Sequence, residues 1–68
     1  MKNNKIAFVV PAFNEEKLIG EVVSGLIKVA NKSFSNFEVI VIDDGSKDST
    51  GKVAEEAGAK VIRHILNS

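Results

Sequence analysis

The acidic and polar side chains with the most chemical promise gather in two short segments. The first is Pro11-Ala12-Phe13-Asn14-Glu15-Glu16 and the second is Asp43-Asp44-Gly45-Ser46-Lys47-Asp48. Ionised carboxylates only accept hydrogen bonds, and they repel phosphate. The first segment contains no glycine, so it is neither a dinucleotide fingerprint nor a P-loop. Carboxylates beside an aromatic ring suit the N–H groups of a base or the hydroxyls of a ribose. The expectation is a base and ribose here, with any diphosphate elsewhere.

The surrounding elements must hold these segments. Ile6 to Val10 is a short apolar run rich in β-branched residues and closed by Pro11, which reads as a buried strand. Leu18, Ile19, Val22, Val23, Leu26, Ile27 and Ala30 then repeat at helical spacing. Asn14 is the expected N-cap, Glu15 and Glu16 suit the positive end of the dipole, and the helix should end near Asn31. Ser33 to Asn36 reads as a polar turn around Phe34, and Phe37 to Ile42 as the second strand. A shorter helix, capped by Asp48 or Ser49, runs through Ala57, with Gly58 as its C-terminal cap. Val61-Ile62 begins a third strand.

The order strand, helix, strand, helix, strand predicts an α/β fold with parallel strands and right-handed crossovers. Strand order 3-2-1 puts both helices on one face. Yet the strands are apolar at successive positions, as if covered on both faces. Each large apolar side chain left exposed forfeits roughly 1.5–3 kcal/mol, against a total stability of about 5–15 kcal/mol. Residues 1–68 are therefore expected to be an incomplete piece of a larger domain, or a module that self-associates through the uncovered sheet face. A chain this short buries only about 60% of its unfolded surface in any case.

On such a sheet, ligands bind beyond the C-terminal strand ends, where the two acidic segments lie. Ile42 and Asp44 share one side of the second strand and Asp43 points to the other. Adjacent carboxylates on a strand converge poorly on one cation, so the pair alone makes a weak metal site. Asp44 is the better acceptor for a base. Plainer roles suit the rest: Asp43 accepting backbone N–H groups, Gly45 supplying a positive φ, Ser46 and Asp48 organising the turn. Glu16 serves the helix dipole, and His64 is an ordinary strand-end residue. Phe13, outside its loop context, would read as core.

Composition narrows the field. Nine basic residues balance nine acidic ones, which argues against nucleic acid as a partner. Cysteine is absent, so disulfides and thiolate metal sites are excluded. No apolar run reaches the roughly 18 residues of a membrane span, and no targeting segment is read. A cytoplasmic location is expected, at the cytoplasmic face of a membrane if the full-length protein carries an anchor.

Val9-Val10-Pro11-Ala12-Phe13-Asn14-Glu15-Glu16, followed by Val39-Ile40-Val41-Ile42-Asp43-Asp44-Gly45-Ser46-Lys47-Asp48-Ser49-Thr50, resembles the start of a family 2 glycosyltransferase. The dolichyl- or polyprenyl-phosphate mannosyl/glucosyl transferase branch is the most similar, and His64 to Asn67 resembles its His-x-x-Asn stretch. The resemblance covers about Lys5 to Asn67 and implies a partial Rossmann-like, GT-A nucleotide-binding half. It also implies inverting transfer of a hexose from a GDP- or UDP-sugar, with a polyprenyl phosphate or other hydroxyl acceptor. On it, Pro11, Phe13, Glu15, Ile42 and Asp44 hold the nucleoside, while Asn14, Asp43 and Gly45 support the loops. Position 13 is commonly tyrosine in that branch, so Phe13 keeps the stacking face and loses a hydroxyl.

Mg²⁺ or Mn²⁺ is expected for the full-length enzyme, bound through an Asp-x-Asp motif that these 68 residues lack. The chain alone is expected to bind no metal and to be inactive. Three other readings compete. They are a non-enzymatic nucleotide-binding module, a dinucleotide domain disfavoured by the glycine-free first loop, and a phosphoacceptor receiver. The receiver would want paired acids where Pro11-Ala12-Phe13 stands.

Overall fold

The computed structural model describes residues 5–64. Their order is β1 (Ile6–Ala12), α1 (Ile19–Ser33), β2 (Phe37–Asp43), α2 (Thr50–Glu56) and β3 (Lys60–Arg63). The three strands form one parallel sheet in the order β1-β2-β3, the expected 3-2-1 counted from the other edge. Asn67 of the His-x-x-Asn stretch lies outside the described residues.

Strand periodicity divides the apolar residues between two faces. Val39 and Val41 of β2 are buried, as is Asp43, and Phe8, Val10 and Val61 pack beside them against α1 and α2. Ile19 and Val23 close this core from α1, where Ala30 is also buried, and Ala54 closes it from α2. Among the described residues, no helix covers the alternate positions. Val9, Ile40 and Lys60 lie level across this second face, and Pro11, Ile42 and Ile62 form the next row. Val9 remains 59% exposed and Ile62 46% exposed. One-sided cover thus follows from two crossovers of the same hand moving the same way across the sheet.

The apolar stripe of α1 is broader than the strip it buries, since Leu18 and Val22 are exposed. The helix also begins later than expected. Asn14 adopts φ 51°, a left-handed conformation that a helix start does not use. Residues 15–18 instead make a turn, with the Leu18 and Ile19 N–H groups donating to the Glu15 carbonyl. Leu18 occupies the N-cap without a side-chain bond, so Asn14 is not the cap. At the other end the helix continues to Ser33. There Phe34 meets Phe8 at 5.9 Å between ring centroids, and Phe8 meets Phe37 edge-on at 6.3 Å. This aromatic cluster closes the end of the sheet remote from the acidic loops.

The two faces respond differently to mutation. Val41 and Val23 are fully buried, so Val41→Ala or Val23→Ala should lower unfolding free energy by about 2 kcal/mol. Val9→Thr on the bare face should change it by less than about 0.5 kcal/mol. Urea unfolding curves of the three variants check this.

Candidate functional site

The register of β1 and β2 pairs Pro11 with Ile42 and Ala12 with Asp43. The loops that follow therefore leave the sheet side by side. One more ladder-like bond, from the Asp44 N–H to the Ala12 carbonyl at 3.0 Å, carries the pairing past the strand ends.

Beyond that point the loops are joined through side chains. The Asn14 N–H donates to Ser46 Oγ at 2.8 Å, and Asn14 Oδ1 accepts from the Lys47 N–H at 2.9 Å. The Glu15 N–H donates to Thr50 Oγ1 at 2.7 Å. Glu16 Oε1 accepts from the Ser49 N–H at 2.8 Å, while the Glu16 N–H donates to Asp48 Oδ2 at 3.3 Å. Glu16 thus crosses to the second loop, where the sequence suggested only service to the dipole. Asp48 Oδ1 accepts from the Thr50 N–H at 3.0 Å and from the Thr50 hydroxyl. It meets the first turn of α2, whereas Ser49 occupies the N-cap without a side-chain bond.

Asp43 and Asp44 diverge as strand parity requires. Asp43 is fully buried on the helix side. Its Oδ1 accepts from the Ser46 N–H at 3.1 Å, and its Oδ2 meets Arg63 Nη2 at 3.3 Å. Burial works to raise its pKa. The contacts from the side chain and backbone of Ser46, together with the Arg63 guanidinium, outweigh that and hold it below the ordinary carboxylate value. Asp48 is also lowered, first by the Thr50 hydroxyl, against a smaller opposing effect of burial.

Asp44 points the other way. Its Oδ1 lies 3.0 Å from His64 Nδ1, so His64 is a specific partner of an acidic loop rather than an incidental strand-end residue. The His64 N–H also donates to the Asp43 carbonyl at 2.8 Å, which places the end of β3 beside both loops.

Two glycines are required here. Gly45 has φ 75°, as its place in the turn anticipated. Gly51, in the first turn of α2, is dictated by proximity. A Cβ there would lie 2.9 Å from Asp43 Oδ2 and 3.5 Å from both Arg63 Nη2 and Val61 Cγ1.

Pro11 and Ile42 are level neighbours on the bare face, and Asp44 follows two residues after Ile42 on the same side. Phe13 is 55% exposed at the start of the first loop. A cleft of about 180 Å³ opens between the loops, lined by Asn14, Glu15, Glu16, Lys17, Leu18 and Asp48. Of the five residues expected to hold a nucleoside, only Glu15 lines it. Pro11, Ile42 and Asp44 belong instead to the sheet face. Among the described residues no three His, Asp or Glu side chains gather as a metal ion would require. Asp43 is spent on Ser46 and Arg63 and Asp44 on His64, so these residues do not fit a divalent cation.

The sequence gives Thr50, Gly51 and Arg63 no site-building role and reads His64 as an ordinary strand-end residue. Two signals for them exist. Thr50 and Gly51 directly follow the acidic loop at a helix start, and Arg63 and His64 end the strand that neighbours it.

This is an open, parallel α/β sheet of GT-A type, with its polar machinery gathered beyond the C-terminal strand ends. Residues 7–68 match Glycosyl transferase family 2, and the chain belongs to that family. An uncharacterized protein of Methanocaldococcus jannaschii is 46% identical over 67 residues, covering 98% of this chain and 26% of that protein. The undecaprenyl-phosphate 4-deoxy-4-formamido-L-arabinose transferase of Proteus mirabilis is 34% identical, covering 96% and 20%. The UDP-N-acetylglucosamine–dolichyl-phosphate N-acetylglucosaminyltransferase of Methanococcus voltae is 43% identical, covering 82% and 20%. The chain thus spans about a fifth to a quarter of the length of these relatives. Among solved structures, the glucosyl-3-phosphoglycerate synthase of Mycobacterium tuberculosis, in complex with Mg²⁺ and UDP, superposes with a TM-score of 0.71 at 36% identity. That match covers 87% of this chain and 20% of the synthase.

Two outcomes follow from the buried carboxylate. Replacing an exposed helical glycine by alanine gains up to about 1 kcal/mol. Gly51→Ala should instead destabilise, by about 1–3 kcal/mol, because Asp43 must move. A rise in melting temperature would contradict this packing. The pKa of Asp43 is depressed in the folded state, so its ionised form stabilises the fold above the ordinary value of 3.8. That contribution is lost as pH falls below 3.8 through the depressed value. Asp43→Asn should therefore be less stable at pH 7 and have a shallower acid limb, with the residual slope contributed in part by Asp48. Urea midpoints recorded from pH 7 to pH 2 report both effects.

Proposed function

We propose that residues 1–68 form the nucleoside-binding portion of a hexosyltransferase. In this reading the whole protein moves a sugar from a GDP- or UDP-sugar to a lipid phosphate or another hydroxyl acceptor. The observation that carries it is the union of the two strand-end loops. Cross-loop bonds from Asn14, Glu15 and Glu16 tie them into one acidic edge. The apolar row Pro11–Ile42 runs up to it. An apolar floor with a carboxylate at its rim suits a flat base that offers N–H groups. Phe13 adds an exposed aromatic face, and Glu15 a carboxylate for ribose hydroxyls. Asn14, Asp43 and Gly45 hold the loops in this shape.

The names of the relatives support transfer of a sugar to a lipid phosphate, the sugar being an N-acetylhexosamine in one and a modified pentose in another. Two of them act on undecaprenyl-phosphate or dolichyl-phosphate. UDP appears in the name of one relative and in the complex of one structural neighbour. Sugar transfer needs a clamp on the departing diphosphate and a base for the acceptor. We assign neither to the described residues, and Mg²⁺ or Mn²⁺ would act through ligands elsewhere in the whole enzyme. The described residues contribute binding and orientation.

Removing a charged hydrogen-bond partner costs about 1.5–3 kcal/mol, or roughly 10–100-fold in affinity. Asp44→Ala should weaken UDP or GDP binding by that factor in calorimetric titration. Unchanged affinity would remove Asp44 from the site.

A further inference from the structure

The nucleoside reading leaves the identity of the base open. It also gives no role to His64, whose ring holds one oxygen of the carboxylate assigned to that base.

A carboxylate can only accept at this contact, so His64 Nδ1 carries the proton and donates to Asp44 Oδ1. The geometry is not an accident of two loose side chains. The Asp44 N–H is tied to the Ala12 carbonyl at 3.0 Å and the His64 N–H to the Asp43 carbonyl at 2.8 Å. Both main chains thus extend the sheet ladder, which sets the two side chains side by side on one face. The pair is open to a ligand, with the two side chains 62% and 50% exposed. Pro11, Ile42 and Ile62 form the row next to it on the bare face. The cationic Arg63 is turned away, engaged with Asp43 on the opposite side. Among the described residues, nothing hydrogen-bonds Asp44 Oδ2.

Within the described residues, Asp44 therefore offers Oδ2 unengaged and Oδ1 already bonded to His64. The two candidate bases differ in what they ask of it. The pairing edge of guanine presents two adjacent donors, N1–H and N2–H, which match a carboxylate with both oxygens free. The pairing edge of uracil presents a single donor, N3–H, between two acceptors. A carboxylate with one oxygen already engaged satisfies uracil, whereas guanine's second donor must share Oδ1 with the histidine, which weakens that bond and costs affinity.

We propose that His64, resting on the nucleoside reading above, holds Asp44 as a single-oxygen acceptor and thereby selects uridine over guanosine nucleotides. His64 is a positioning residue here, because it acts on the ligand only through Asp44.

Calorimetric titration of UDP and GDP into the wild type, His64→Ala, His64→Asn and Asp44→Ala tests this. The wild type should prefer UDP by about tenfold, the scale of one hydrogen bond. In His64→Ala the freed oxygen should largely erase that preference, chiefly through tighter GDP binding. His64→Asn should restore it, since its amide places a donor near the position of Nδ1–H. ¹⁵N NMR of the wild-type histidine gives a readout independent of any variant: Nδ1 should be protonated and remain so when UDP binds.

An unchanged UDP-to-GDP ratio in His64→Ala overturns the assignment. So does a wild type that prefers GDP, or a deprotonated Nδ1. In each of these cases, sensitivity of binding to Asp44→Ala would leave the nucleoside site standing. A wild type that binds neither nucleotide would remove both.

Discussion

The polar end of this molecule is organised around one carboxylate that water does not reach. Asp43 has no exposed surface and is held below its ordinary pKa, because its own loop donates to it through Ser46 and β3 through Arg63, while α2 closes over it at Gly51. Desolvating a carboxylate costs several kcal/mol unless it is paired and hydrogen-bonded. The carboxylate can be buried only when those segments are in place. In this sense Asp43 is a condition on the fold as well as a member of it, and the position of everything downstream of β2 is defined relative to it.

The constraint passes from Asp43 to the first loop through Ser46. The Ser46 N–H is held by Asp43, and its Oγ is then presented to the Asn14 N–H. Asn14 must turn into a left-handed conformation to meet it and to accept from Lys47. Asparagine tolerates that conformation better than most residues. This accounts for the late start of α1. The side chain that would have capped the helix is committed to the neighbouring loop, and the chain needs an extra turn before it can wind. A local signal was overridden by a contact with residues more than thirty positions away.

The same contrast separates what the sequence disclosed from what it did not. Element order, parallel pairing and one-sided helical cover depend on periodicity and crossover handedness, and both are visible in Ile6 to Val10, in the stripe from Leu18 to Ala30 and in Val39 to Ile42. The opposite orientations of Asp43 and Asp44 follow from strand parity alone. The role of Thr50, the close contact that requires Gly51 and the pairing of His64 with Asp44 depend on where separate segments meet. No local pattern encodes those meetings. Arg63 illustrates the limit: as an exposed residue on a short edge strand it has no visible purpose until the buried acid beneath it is known.

Two adjacent aspartates thus have unlike tasks because a strand alternates its side chains. The inward one is desolvated, paired with a guanidinium and hidden beneath a glycine, so it cannot also reach a ligand. The outward one is half exposed, backed by a histidine and placed on the same side as an apolar row. Exchanging their roles would require the strand to slip by one residue, and that slip would turn Val39 and Val41 out of the core and bring Ile40 and Ile42 in. The register of β2 therefore fixes the buried core and the outward-facing acid together. Selection on either one constrains the other, which ties the binding chemistry proposed here to the packing that stabilises the sheet.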